Sequence, residues 1–218
     1  MPGEGVTVQP ITSGIAEEIF QHEILFEGLR RLGYEVEDPL ESEYAVMHVA
    51  LGQGDADFTG VHWNLLHEEF YQNSGGDDDL VKMCSLISYV LQGYLIDKAT
   101  ADEYGITNLE QLQDPEIAAI FDADGDGMAD LTGCNPGWGC ELVIEHHIPE
   151  YGLGDTVRHN QGSYFALMAD TIARFEQDEP ILYYTWTPLW VSGVFVPGED
   201  VEWLEVPYTS LPDNDDAT

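Results

Sequence analysis

The residues of this chain that are best suited to chemistry are concentrated in positions 132–140, which contain two cysteines, three glycines, a proline and a tryptophan. Glycine and proline mark tight turns, so this segment is predicted to be a loop that displays Trp138. A helix is predicted to start directly after it, and the backbone N–H groups of Gly139 and Cys140 would have no acceptor within that helix. Such groups are expected to point towards an anion.

The three cysteines divide into a close pair and a single residue. Cys134 and Cys140 lie at a spacing that a disulfide can close, whereas Cys84 is left over. A bridge would indicate an oxidising compartment. Two alternatives are reduced thiols and a zinc ion shared with His146 or His147, although the chain has no Cys-x-x-Cys motif.

Three tryptophans are predicted to lie at or just beyond the C-terminal end of a strand, where open α/β sheets bind ligands. They are Trp63, Trp138 and Trp186. Tryptophan offers the best aromatic face to a cation, and several rings can enclose a quaternary ammonium group, which has no N–H to donate. His67 follows Trp63 by four residues and is able to donate an N–H to a carboxylate. Taken singly, each of these residues also fits ordinary packing, but together they predict a pocket for a small zwitterion.

An acidic loop at residues 122–130 has the spacing of the first part of a calcium loop, with carboxylates at positions 1, 3, 5 and 9 and glycine at position 6. The carboxylates belong to Asp122, Asp124, Asp126 and Asp130. Position 12 is Gly133, however, instead of the bidentate glutamate of a complete loop. A structural calcium site and a solvated aspartate turn are therefore both open.

The 218 residues carry 42 acidic and 6 basic side chains, which gives a net charge of −36. No basic patch is available for nucleic acid or for an anionic membrane, so both are excluded as partners. No apolar run is long enough to span a membrane, and residues 1–5 have neither the basic nor the apolar region of a signal peptide. The cysteine pair favours a periplasmic or other extracytoplasmic protein whose signal peptide is absent from this sequence, with a cytosolic protein as the alternative.

Alternation of predicted strands and helices indicates an α/β fold with parallel pairing. The strands are predicted at residues 5–11, 34–37, 56–61, 86–96, 156–159, 181–186 and 201–206. The helices are predicted at residues 13–32, 64–71, 98–104, 109–121, 139–151 and 163–177, and residues 44–50 fit either element. The first helix rests on Ser13 as its cap and on apolar residues such as Ile19 and Ile24 that recur at near-helical spacing.

Several segments together carry a resemblance to a known family. The most specific is Gly-Cys-Asn-Pro-Gly-Trp-Gly-Cys at residues 133–140. The full set of matching segments is 3–8, 54–59, 93–98, 130–140, 159–162 and 183–188. The chain resembles, over nearly its whole length, the glycine betaine/proline betaine substrate-binding proteins of ABC-type osmoprotectant importers, which are type II periplasmic binding proteins. The resemblance implies two α/β lobes with mixed, mainly parallel sheets and a ligand cleft between the lobes.

The same resemblance implies the roles of particular residues. The positions that match the family's ligand-binding residues are Trp63, His67, Trp138, Gly139, Cys140 and Trp186. The three tryptophans match a box around the ammonium group, whereas the histidine and the two backbone N–H groups match the carboxylate site. Cys134 and Cys140 match a bridged pair. The implied ligand is glycine betaine or proline betaine, and the implied partner is a membrane complex of permease and ATPase.

The implied domain organisation is a first lobe at residues 1–94, a second lobe at 95–204 and a hinge return with a polar tail at 205–218. Members of the family continue well past the position of Thr218 with a segment that completes the first lobe, so this lobe is expected to be incomplete here. We expect a monomer that requires no cofactor, with calcium in the acidic loop as an additional structural ion.

Two other functions compete with solute binding. An enzyme that acts on a choline-like compound would need a nucleophile–base pair, a redox cofactor motif or a catalytic metal. The chain has no Gly-x-Ser-x-Gly, no helix-opening Gly-x-Gly-x-x-Gly and no His-Glu-x-x-His. A calcium-stabilised extracellular interaction module would rest on the acidic loop alone. The sequence therefore favours a binding protein without enzymatic activity.

Overall fold

The computed structural model describes residues 1–212. These residues divide into two compact units, unit 1 (Met1–Tyr89) and unit 2, which begins at Val90. The predicted lobe boundary at residue 94 falls inside a strand of unit 2, and the predicted polar tail at 205–218 lies partly outside the described residues. None of the helices formed by residues 1–212 combines the length and the apolar character that crossing a bilayer requires.

Unit 1 is built from helices and from very short parallel strand pairs. Within residues 1–89 these elements are β1 (Thr7–Val8), β2 (Ile11–Thr12), α1 (Ala16–Arg31), β3 (Glu35–Val36), β4 (Leu40–Glu41), α2 (Tyr44–Gln53), α3 (Glu68–Asn73) and α4 (Gly76–Asp79). β1 pairs with β3, and β2 pairs with β4. The strand predicted at 56–61 is wrong, because only Phe58 forms an isolated bridge there, with Pro10.

Helix α1 buries a different face from the one that its apolar residues mark. Glu18, His22 and Phe26 are buried, whereas Phe20 and Ile24 are 67% and 62% exposed. Two polar side chains thus point into unit 1 while two large apolar side chains point to solvent. This arrangement requires that the buried polar groups have hydrogen-bond partners, and those partners lead to the candidate site.

The structure settles one further segment of unit 1 and corrects another. Residues 44–50, which fit either element, belong to α2, and this helix ends at Gly54 with a φ of 76°, a left-handed conformation that glycine adopts without strain. The helix predicted from residue 64 starts only at Glu68, because residues 64–67 form a turn in which Leu65 has a φ of 68°.

Unit 2 contains a five-stranded mixed sheet and its helices. Its elements are β5 (Gln92–Asp97), α5 (Lys98–Tyr104), a 3-10 helix (Leu109–Gln113), α6 (Pro115–Ala118), a second 3-10 helix (Ala119–Phe121), β6 (Ala129–Thr132), α7 (Gly139–Glu150), β7 (Val157–Asn160), α8 (Tyr164–Phe175), β8 (Leu182–Trp186), α9 (Val191–Val194) and β9 (Val201–Trp203). The strand order is β7-β6-β8-β5-β9. β6 is parallel to β7 and β8, and β5 is antiparallel to β8 and β9.

The centre of this sheet positions the functional residues of unit 2. Every residue of β6 and of β8 is buried. Because β6 and β8 run parallel, with Thr132 opposite Tyr183, both strands end at the same edge of the sheet. The loop that follows Thr132 therefore begins beside the end of β8, which is Trp186.

The single helix predicted at 109–121 is three short ones. The Asn108 side chain accepts a hydrogen bond from the Glu110 backbone N–H, at 2.8 Å, and caps the first. Asp114 accepts from the Glu116 N–H at 2.9 Å and caps the next, which has Pro115 in its first turn. Two caps within seven residues restart the helix instead of extending it.

Candidate ligand site

The loop at residues 133–138 connects β6 to α7, and a disulfide joins Cys134 to Cys140. The predicted bridge is therefore confirmed, and neither reduced thiols nor a zinc site at this pair describes the protein. Gly137 has a φ of 85° and provides the turn that brings the chain back to the start of α7. The bridge encloses the loop that carries Trp138 in a covalent ring.

His159 on β7 holds the first half of this loop. Its Nε2 accepts a hydrogen bond from the Cys134 backbone N–H at 3.3 Å, so the ring proton is on Nδ1, which lies 2.7 Å from a Glu145 carboxylate oxygen. Burial, the largest cause, lowers the pKa of His159, although the contact with Glu145 opposes this. Gly133 passes so close to the imidazole that a Cβ there would overlap it. The loop is thus fixed against the sheet by a close contact and by a hydrogen bond.

The start of α7 presents unbonded backbone donors. α7 begins at Gly139, as predicted, and its N-cap residue Trp138 makes no side-chain capping hydrogen bond. Among residues 1–212, no acceptor is bonded to the backbone N–H of Gly139 or Cys140. These two groups are therefore available to an anion, which the positive end of the helix dipole would also favour. That they bind a carboxylate stays a prediction.

Trp138 and Trp186 come together with a third aromatic residue of unit 2. Their ring centroids are 6.1 Å apart and the rings meet edge to face. Tyr164, at the start of α8, lies 5.0 Å from Trp186 and 6.3 Å from Trp138. The Tyr164 hydroxyl donates to Thr185 Oγ1 at 2.9 Å, and burial raises its pKa, so the phenol stays neutral. Sequence reasoning found the two tryptophans but missed Tyr164, which no motif marks.

Trp63 and His67 of unit 1 are joined by a tight turn. The His67 backbone N–H donates to the Trp63 carbonyl at 2.8 Å, and the Trp63 backbone N–H donates to His67 Nδ1 at 3.2 Å. Because Nδ1 accepts, the ring proton of neutral His67 must be on Nε2. Burial, followed by the neighbouring His48 and His62, lowers the pKa of His67 well below its usual value. His67 is thus a neutral N–H donor, in the protonation state that the predicted carboxylate contact needs.

The indole of Trp63 is anchored by a residue that sequence reasoning missed. Trp63 Nε1 donates to Glu18 Oε1 at 2.9 Å, and Glu18 is 2% exposed. Burial raises the pKa of Glu18, while its hydrogen bonds with Ser13, Trp63 and Tyr44 act in the opposite direction. In the sequence Glu18 looks like an ordinary acidic residue in the first turn of a helix, so no local signal marks it.

His48, His62 and His67 form a cluster whose nitrogens lie within 4.8 Å of one another. His48 Nδ1 is 2.7 Å from the Tyr44 carbonyl and must donate to it, so His48 Nε2 accepts from His62 Nδ1 at 3.0 Å. His62 Nε2 then carries a lone pair, and within residues 1–212 it is buried without a partner. His67, however, directs an N–H and not a lone pair away from Trp63. Of the three rings, only His62 therefore keeps a lone pair that no group within residues 1–212 uses, so the cluster suits the packing around His67 better than a three-histidine metal site.

The acidic loop is largely satisfied by protein groups. Both Asp124 and Asp126 form ion pairs with Arg158. Asp122 accepts from the backbone N–H groups of Gly125 and Gly127, at 2.7 and 2.8 Å. Carboxylate oxygens of Asp122, Asp124 and Asp130 still lie within 4.8 Å of one another, a spacing that a cation can bridge. Calcium binding at this loop therefore stays a prediction.

The fold is that of the type II periplasmic binding proteins. A structural neighbour is the glycine betaine/L-proline-binding protein ProX of an ABC transporter from Borrelia burgdorferi, with a TM-score of 0.73 and 18% sequence identity. The alignment covers 92% of this chain and 69% of that one. At this identity the likeness establishes the fold alone.

Residues 6–218 match the family described as the substrate binding domain of ABC-type glycine betaine transport systems, and this chain belongs to that family. It is 54% identical over 218 residues to the glycine betaine-binding periplasmic protein OusX of Dickeya dadantii. It is 52% identical over 217 residues to the glycine betaine/proline betaine-binding periplasmic protein of Escherichia coli. The chain spans 66% of the length of each of these relatives.

Proposed function

We propose that this chain binds a small quaternary-ammonium zwitterion, glycine betaine or proline betaine, and acts in osmoprotection as the solute-binding part of an ABC importer. The observation that carries the proposal is the juxtaposition in unit 2 of the Trp138–Trp186 pair, 6.1 Å apart, with the N–H groups at the start of α7, to which no acceptor within residues 1–212 is bonded. A cation surface next to an anion site matches the two ends of a betaine. Family membership and the names of the relatives point the same way.

In this proposal the ammonium group lies against indole faces. A quaternary ammonium group cannot donate a hydrogen bond, so its diffuse positive charge and its methyl surface are what a protein can recognise. Trp138 and Trp186 supply two faces, and Trp63 of unit 1 supplies the third. Each desolvated face contributes about 2 kcal/mol. Three faces together with an anion site reach the roughly −8 kcal/mol that micromolar binding needs.

The carboxylate of the ligand, in the same proposal, accepts hydrogen bonds from the Gly139 and Cys140 backbone N–H groups and from His67 Nε2. Unbonded N–H groups at a helix start are pre-organised donors for an anion. His67 suits this role because its Nδ1 is already occupied by the Trp63 N–H and its low pKa keeps the ring neutral. Choline, which has a hydroxyl in place of the carboxylate, would bring no negative charge to these donors.

We further propose that the protein works outside the cytoplasm as a monomer and delivers its ligand to a membrane complex of permease and ATPase. The relatives are named as periplasmic binding proteins, and the disulfide of the loop suits an oxidising compartment. Such a protein binds and releases its ligand unchanged, so no catalytic group and no cofactor is required. The calcium predicted for the acidic loop would be structural only.

The test is calorimetric titration of the wild-type chain with glycine betaine, beside Trp138→Leu and the matched control Trp203→Leu on β9. We expect micromolar binding by the wild type, a loss of about 100-fold or more in Trp138→Leu, and a change within about threefold in the control. Choline should bind worst. Micromolar affinity retained by Trp138→Leu, or betaine binding no tighter than choline binding, would contradict the proposal. Turnover of choline in the same samples would instead support the enzyme alternative.

A further inference from the structure

Glu18 accepts a hydrogen bond at the edge of the indole ring that unit 1 contributes to the proposed site. It is 2% exposed, and none of the ion pairs formed within residues 1–212 includes it. Three donors surround its carboxylate instead. They are the Ser13 hydroxyl, the Tyr44 hydroxyl, which is 3.1 Å from both oxygens, and the Trp63 indole N–H at 2.9 Å. An indole nitrogen can only donate, so this arrangement suits the ionised carboxylate.

The donors connect Glu18 to both ligand-facing residues of unit 1. The indole of Trp63 is fixed directly, because its only polar atom is held by Glu18 Oε1. His67 is reached through Tyr44, whose ring lies 4.5 Å from the imidazole while its hydroxyl donates to Glu18. One buried carboxylate therefore sets the orientation of the aromatic face and supports the packing of the histidine donor.

The charge of Glu18 has a further consequence for the indole. A hydrogen bond from an indole N–H to an anion polarises the ring and makes its face more negative, which strengthens the attraction of a cation. This polarisation does not act on an uncharged group of the same shape.

We propose that Glu18 is a positioning residue that makes the Trp63 face selective for a cation over a neutral group of the same size. This inference rests on the proposed function and adds to it the source of charge selectivity. The ligand that it favours is a trimethylammonium compound, and the ligand that it does not favour is the isosteric tert-butyl carboxylate. It predicts that the two ligands respond differently when the charge of Glu18 is removed.

The experiment compares glycine betaine with 3,3-dimethylbutanoate, in which a carbon replaces the ammonium nitrogen, on the wild type and on Glu18→Gln. The amide oxygen of glutamine can still accept from Trp63, and its NH₂ can donate to the Ser13 or Tyr44 hydroxyl, so the fold should be kept. We expect Glu18→Gln to lose about tenfold in affinity for glycine betaine and less than about twofold for 3,3-dimethylbutanoate, whose tert-butyl group is uncharged. The matched control is Glu23→Gln, an exposed glutamate on the same helix that forms an ion pair with Arg30, at 3.6 Å. It should change neither affinity.

An equal loss of affinity for both ligands in Glu18→Gln would mean that Glu18 is purely structural, and it would overturn the inference. No loss of affinity for either ligand would also overturn it.

A double variant gives an independent check. In a Trp63→Phe background, which lacks the indole N–H, Glu18→Gln should cost less than about twofold, and a full tenfold loss there would also overturn the inference. If Glu18→Gln melts at a temperature well below that of the wild type, Tyr44→Phe is the variant to use instead, because it removes one donor to Glu18 and keeps the charge. Tyr44→Phe should leave the preference for glycine betaine over 3,3-dimethylbutanoate intact. Failure of the wild type to bind betaine would instead defeat the proposed function and this inference with it.

Discussion

The two units of this protein place polar and apolar side chains differently. In unit 2 the central strands β6 and β8 are buried over their whole length, and their side chains are mostly apolar or aromatic. In unit 1 the strands are two residues long, and the buried face of α1 carries Glu18 and His22 while Phe20 and Ile24 are exposed. Unit 2 thus depends mainly on apolar burial, which is non-directional, whereas the interior of unit 1 depends on directed hydrogen bonds.

The difference corresponds to what each unit contributes to the proposed site. Unit 2 presents its groups on a loop held by a disulfide and by a sheet edge, so an apolar core is enough to position them. Unit 1 presents an indole and an imidazole whose orientations are set by hydrogen bonds from Glu18 and from the Trp63 backbone. Polar residues inside unit 1 therefore fix the geometry of these two side chains.

The largest effect that tests this comparison is expected in the sheet of unit 2. Leu131, on β6, is 1% exposed, and Leu131→Ala should lower the free energy of unfolding by about 3 kcal/mol because it leaves a cavity. Ile24→Ala, on the exposed side of α1, should change it by less than about 0.5 kcal/mol. Urea unfolding of the two variants measures both values. A cost at Ile24 close to that at Leu131 would break the comparison, since it would mean that the exposed face of α1 is covered in solution.

The next effect concerns the loop of unit 2. Replacing Cys134 and Cys140 together by serine removes a short covalent ring and should lower the free energy of unfolding by about 2 kcal/mol. Affinity for betaine should fall as well, because the loop between the cysteines carries Trp138 and leads to the donors at the start of α7. The control is Cys84→Ser, an exposed thiol of unit 1, which should alter neither quantity. Equal effects of the two changes would contradict this role of the bridge.

The smallest effect is a pH dependence specific to unit 1. Burial, with help from His48 and Lys82, lowers the pKa of His62 to about 4. Between pH 6.5 and about 4 the unfolded chain takes up a proton at this position and the folded chain does not, so stability falls as the pH falls through this window. His62→Gln should abolish roughly half a kcal/mol of the loss between pH 7 and pH 5.5, a value reduced because the ring is partly exposed and solvent weakens the shift. Urea unfolding at both pH values measures it, and parallel curves for variant and wild type would refute the assignment.

Much of unit 2 was predictable from its sequence, because its signals are local. Strongly apolar runs mark β8, and a glycine-rich segment with a proline marks the loop before α7. The predicted start of α7 and the disulfide agree with the structure. The split of residues 109–121 was also marked, by Asn108 and Asp114 as caps and by Pro115, but the prediction of a single helix did not use these signals.

Unit 1 was harder to predict because its decisive contacts are distant in sequence. Glu18 pairs with Trp63, 45 residues away, and with Tyr44, 26 residues away. A prediction from apolar periodicity places polar residues on the protein surface unless their hydrogen-bond partners are known. No sequence pattern identifies such partners when they are distant in the chain. The apolar residues Ile19 and Ile24, which are 37% and 62% exposed, therefore marked the wrong face of α1. For the same reason Trp63 and His67 were found as candidates while the residue that anchors Trp63 was missed.

The hydrogen bonds of Glu18 have a consequence for attempts to transplant this recognition surface into another scaffold. Trp63 cannot be moved as a single side chain, because its ring orientation depends on Glu18 from α1 and, through Glu18, on Tyr44 from α2. Nor can the turn at residues 63–67 be grafted alone as a contiguous peptide. The smallest portable piece is a set of residues from three places in the chain, and a designer who copied the aromatic ring without its buried acid would obtain the shape of the surface but not its preference for charge.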